Sequence, residues 1–213
     1  MIEAWSPLNP EDANFVGQSR LDYICYLEQM GTPPKVAFED CSELKQWLSE
    51  EFDDYEVQPV LGGRNAIRVK ITDDRFTFLE QLWVRKSYSN YRKAMRYVAR
   101  NFHATDDVSA IDADHIVART ILKDFTNSWV AIFPTYKSSD SGFGLVERAL
   151  PKAKKGFKSI SLSPLMAFKI ANGKMPRSVE ELNSAMVDIR GANFLWTQQL
   201  STKLNLRYAG RSF

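Results

Sequence analysis

"SAIDADHIVARTIL", Ser109–Leu122, holds one of the chain's two histidines, and its reading decides what fold the middle of the 213-residue chain is expected to take. His115 directly follows Asp114 inside an apolar run. A histidine that only packs in a core needs a backbone carbonyl for its ring and leaves Asp114 to the surface. A histidine that takes a proton from water gains from an acidic neighbour. Imidazole titrates near neutrality, and a carboxylate holds a hard cation well. If "IDADHIV" is a strand, Asp112 and Asp114 share one face and His115 points to the other. At a strand end, Asp114 and His115 can instead straddle one site.

Downstream, "RTILKDFTNS" reads as a loop or short turn and "WVAIFP" as a second strand closed by Pro134. After "TYKSSDSGFG" a helix is expected over "LVERALPK". The order is therefore strand, loop, strand, helix. Upstream, "SYSNYRKAMRYVARNF" predicts a helix with two faces. Tyr91, Met95, Val98 and Phe102 form a buried stripe, while Arg92, Arg96 and Arg100 recur every four residues on another side. With no acidic residue in that segment, the column reads as a solvated basic face or as a set of phosphate contacts.

Further out, a helix is expected from about Asn14 to Met30, stopped by Gly31 and Pro33–Pro34. Asp40 and Glu43 offer a capping box for the helix in "SELKQWLSEEF". "YEVQPVL", the turn "GGRN" and "AIRVKI" predict a hairpin, and "RFTFLEQLWV" a further strand. In the C-terminal third, Ser163–Pro164 starts a helix and Gly173 stops it. Ser178 with Glu181 caps another, and "NFLWTQQLSTKLNLR" makes a last one. Together these predict an α+β fold, mainly helical, with a small antiparallel sheet.

Charge divides the chain. Residues 1–60 carry three Lys/Arg against 13 Asp/Glu, whereas 61–213 carry 25 against 13, for a net charge of +2. The expected organisation is an acidic helical and hairpin region, 1–86, and a basic region, 87–213. A basic majority suits a polyanion such as DNA. The acidic region offers a surface for a protein partner or for self-association. No apolar run is long enough to span a membrane, and the N-terminus has no signal-peptide pattern. Cys25 and Cys41 form no CxxC pair, which suits a reducing, cytoplasmic setting. There is no phosphate-binding glycine loop of the GxxxxGK[ST] or GxGxxG type, and Ser138, Ser139 and Ser141 sit in no GxSxG elbow.

The residues "DADHIVART", the strand "WVAIFP" and "DSGFG" opening a helix resemble the strand–strand–helix motif of the HNH endonucleases, the ββα-metal or His-Me finger superfamily. The resemblance covers about residues 110–152. It implies that His115 is the general base and Asn127 the loop residue that orients it. It also implies that Asp114 and Asp140 hold one divalent cation, Mg²⁺ or Mn²⁺. The chain departs from the pattern in three places. Ala118 and Arg119 stand near a common proline position, Asp140 replaces an Asn or His, and the zinc knuckle of many relatives is absent.

The function expected on this resemblance is metal-dependent hydrolysis of DNA with low sequence specificity. Arg119 would neutralise charge on the transition state, and Arg92, Arg96, Arg100 and Lys123 would contact the backbone. Such modules occur in bacterial defence and mobile-element systems. The competing expectation is a non-catalytic nucleic-acid-binding or assembly subunit with a degenerate nuclease fold. His103, after a helix end, is expected to complement the helix dipole instead.

Overall fold

The computed structural model describes residues 15–29, 33–73, 76–123, 125, 127–136, 152–154, 156–163, 166–167 and 169–170. Of these, 34% are strand and 29% helix, so the expectation of a mainly helical chain with a small sheet is corrected. The elements are α1 (Phe15–Gln29), β1 (Lys35–Phe38), α2 (Cys41–Glu51), β2 (Asp54–Pro59), β3 (Ala66–Asp73), β4 (Phe76–Arg85), α3 (Tyr91–Phe102), β5 (Ile111–His115), β6 (Trp129–Tyr136) and β7 (Ser159–Ser161). The helices expected beyond Gly173 lie outside the described residues.

One antiparallel sheet joins all seven strands. The order β2-β3-β4-β6-β1-β7 curls into a half-barrel, and β5 adds to β6. Two short strands, β1 and β7, were not expected, and they widen what looked like a small sheet. The expected boundary at 86/87 falls inside this sheet, because β4 pairs with β6 through Leu82↔Ile132 to Arg85↔Trp129.

β6 is the hub. Ile132 is opposite Leu82 of β4 and also opposite His115 of β5, so those two strands lie on its two edges. β1 shares the β5 edge, opposite Trp129 and Val130. Pro134 was expected to end β6, yet the strand runs on to Tyr136. The Ile116 N–H donates to the Ala131 carbonyl at 3.0 Å. Alternation then turns the backbone of Phe133 and Thr135 toward β5, and that of Ile132 and Pro134 toward β4. Pairing with β4 ends at Ile132, so the missing N–H of Pro134 faces an unpaired edge and interrupts nothing.

The sheet is buried on both faces. Along β4, Leu79 and Trp83 enter one core with Leu44 and Leu48 of α2. Leu82 and Val84 enter the other with Tyr91, Met95 and Val98 of α3. Burial of each such side chain contributes about 1.5–3 kcal/mol. Phe102, expected in the α3 stripe, is 38% exposed instead, and the Arg68 guanidinium stacks on its ring at 4.1 Å.

Local chemistry sets the ends of the elements. Asp40 Oδ1 accepts from the Ser42 and Glu43 amides at 2.8 and 3.0 Å, two donors that the first turn of α2 leaves free. The β2–β3 turn holds Gly63 at φ +79, and a Cβ there would meet Pro59 Cβ at 2.6 Å. Only glycine fits that position.

Candidate functional site

β5 alternates as the sequence pattern requires. Ile111, Ala113 and His115 are buried, while Asp112 and Asp114 are half-buried on the other face. The imidazole of His115 is 4% exposed and lies edge-on to the Tyr91 ring, with centroids 4.4 Å apart. Its Nε2 is buried without a hydrogen-bond partner. Burial, reinforced by the positive charge of Arg119, pushes its pKa down to about 4, against the opposing pull of Asp114. The ring is therefore neutral at pH 7.

The two carboxylates are engaged by cations of the chain itself. Asp114 Oδ2 lies 2.9 Å from Lys169 Nζ, and Asp114 Oδ1 accepts from the His115 amide at 2.8 Å. Lys169 is only 2% exposed and also donates to the His115 carbonyl at 2.9 Å. Asp112 Oδ1 pairs with Arg92 Nε at 2.6 Å and accepts from the Ala113 amide at 2.8 Å.

Around Tyr91 two guanidinium groups converge, Arg92 at 5.0 Å and Arg119 at 5.9 Å from the ring centroid. The loop carrying Arg119 is fixed from below. Lys86 Nζ donates to the Leu122 carbonyl and, at 3.1 Å, to that of Lys123.

The structure separates several residues that the sequence pattern grouped. Arg96 leaves the expected column, because its Nε donates to the Ile111 carbonyl at 2.8 Å and ties α3 to β5. Arg100 and Lys123 are exposed. Asn127 lines a cleft bordered by Asp40, Arg64 and Trp129. Asp140 lies outside the described residues. His103 was expected to complement the dipole of α3; it stands at the C-cap, its backbone N–H donates to the Ala99 carbonyl, and its ring Nε2 meets Glu80 Oε1 at 2.8 Å.

Of the two expected metal ligands, Asp140 lies outside the described residues and Asp114 is engaged by donors of the chain itself. Both carboxylate oxygens already have donors, and the nearest cation is the Lys169 ammonium. Among the described residues no three His, Cys, Asp or Glu side chains group to hold a metal. The cluster thus sets Arg92, Arg119 and Lys169 beside Asp112, Asp114 and the rings of Tyr91 and His115.

Sequence reasoning missed Lys169 and the role of Tyr91. Lys169 had a legible signal, since it is a charged residue inside the apolar run "LMAFKI". Tyr91 was assigned to the core stripe, and it is both core and the platform for two arginines. Among the described residues no helix is long and apolar enough to cross a membrane. No protein-family profile, no curated protein and no solved structure matches this chain.

Proposed function

We propose that this protein binds nucleic acid through its phosphates, with Arg92 and Arg119 as the principal contacts. The observation that carries this reading is the pair of guanidinium groups at 5.0 and 5.9 Å from one tyrosine ring. Arginine presents a planar fork that matches phosphate oxygens, and an aromatic platform orders it before the ligand arrives. The surplus of 25 Lys/Arg over 13 Asp/Glu in residues 61–213 supports a polyanionic partner. Phosphate contacts carry no sequence information, so binding through them is expected to be independent of sequence. A labelled DNA duplex titrated with protein at low salt tests this reading. Arg119→Ala weakens binding by about 1 kcal/mol or more if a charge-assisted contact is lost. Unchanged binding contradicts it.

A second reading, phosphodiester hydrolysis, is favoured by the unpartnered Nε2 of His115 in the antiparallel β5–β6 pair. A neutral imidazole can accept a proton from water. In this reading the buried ring swings clear of Tyr91 and Asp114 parts from Lys169 before a reaction begins. Nicking of supercoiled plasmid in Mg²⁺ or Mn²⁺, lost in His115→Ala, supports hydrolysis. Binding without nicking in either metal leaves the binding function alone.

A further inference from the structure

The cleft that contains Asn127 lies away from the histidine's partners and has its own chemistry. It has a volume of about 620 Å³, within the usual span for small-molecule sites. Its lining is partly apolar, with Val57, Pro59, Ile67 and Trp129, and partly cationic, with Lys45, Arg64 and Arg85. None of these three cations is held by a carboxylate among the described residues, and the Nε of Arg85 is buried with no acceptor. A buried guanidinium donor left open is costly, and an anionic acceptor relieves it.

Asp40 also borders the cleft, but its Oδ1 is turned to the Ser42 and Glu43 amides and the Ser42 hydroxyl. It neutralises the start of α2 instead of the arginines. Lys45 and Arg85 line this cleft together with Cys41. The Arg85 backbone is fixed by its pairing with Trp129 and by its N–H, which donates to the Asn65 carbonyl at 2.9 Å. Arg64 sits in the β2–β3 turn.

We propose that this cleft binds a small organic phosphate of mononucleotide size, with the phosphate on Arg64, Arg85 and Lys45 and the flat organic body against Trp129 and its apolar neighbours. The proposal does not rest on the reading of the Tyr91 cluster. The cation set answers to a dianionic phosphate, and the Trp129 wall answers to a ring system that a bare ion lacks.

The test is calorimetric titration of the full chain with 5′-AMP, adenosine and inorganic phosphate in parallel. The expected result is saturable binding of AMP, with adenosine and inorganic phosphate each weaker by about tenfold or more, because each loses one half of the contact set. Arg85→Gln and, separately, Arg64→Gln weaken AMP by about tenfold. Arg64 is exposed and lies in a turn, so its variant keeps the fold even if the variant of the half-buried Arg85 does not. Three results overturn the proposal: no saturable AMP binding at millimolar concentration, AMP bound equally by Arg64→Gln and wild type, or inorganic phosphate binding as tightly as AMP.

Discussion

Lys169 Nζ lies 2.9 Å from Asp114 Oδ2 and 2.9 Å from the carbonyl oxygen of His115, and only 2% of Lys169 is exposed. One ammonium therefore joins the segment after β7 to both residues of the Asp-His pair. Removing Asp114 takes a charge partner from a buried cation. Asp114→Ala is expected to cost about 2–3 kcal/mol, less than a fully buried pair because the carboxylate is partly solvated. The double variant Asp114→Ala/Lys169→Met is expected to recover part of that loss. Urea midpoints for the four proteins of the cycle measure it, and additive losses would show that the pair is uncoupled.

His115 makes stability depend on pH in a defined window. Its pKa falls from 6.5 to about 4 on folding, chiefly through burial. The unfolded chain thus takes up the proton first as pH drops. Stability is full above pH 6.5, declines as pH falls toward 4 and levels below it, for a total loss of about 3 kcal/mol. In His115→Gln the slope across that window should flatten. A wild type with equal urea midpoints at pH 7 and pH 5 contradicts the burial of the ring.

Glu80 acts in a lower window. Burial opposes its charge, but His103 and Arg68 outweigh burial and hold its carboxyl below the ordinary 4.5. Its stabilisation is present above pH 4.5 and is lost as pH falls through the depressed value. Arg68 is 8% exposed, so Glu80→Ala strands a buried guanidinium and is expected to cost about 3 kcal/mol at pH 7. Thermal unfolding of Glu80→Ala at pH 7 checks this, and a change below about 0.5 kcal/mol would contradict it.

Local signals carried much of the fold and little of the site. The Asp40 cap, the glycine turn and the span of α1 were readable because each depends on neighbours within a few residues. β1 and β7 were not, because four-residue and three-residue strands have too few positions to show alternation. They exist through pairing across more than a hundred residues, as in Phe38↔Ser159. The mainly helical expectation failed for the same reason: strands seen one by one gave no hint that β6 gathers β4, β1 and β5. The partners of the arginine column were illegible for another reason. Its spacing of four was real, but Arg96 turns to the Ile111 carbonyl and Arg92 to Asp112, and no helical periodicity contains those partners. The place of Asn127 in a cleft with Arg64 and Trp129 was not readable, because loop residues have no periodicity at all.

The two strands expected around His115 and Trp129 are seen as the antiparallel β5–β6 pair, which by itself identifies no family. The resemblance to the HNH pattern does not account for the Lys169 ammonium beside Asp114. If hydrolysis occurs, Lys169→Ala should alter the dependence of nicking on Mg²⁺ or Mn²⁺, because it frees a carboxylate oxygen. If the protein only binds, Lys169→Ala should produce no nicking in either metal and should change stability alone.

The central claim is that phosphate contacts by Arg92 and Arg119 drive association with nucleic acid. The most direct measurement is the dependence of duplex-DNA affinity on salt, by fluorescence anisotropy, for wild type and Arg119→Gln. The account predicts affinity falling steeply and linearly on a logarithmic scale, with the slope reduced by about 1 in the variant. A wild-type affinity insensitive to salt, or identical slopes for the two proteins, contradicts it.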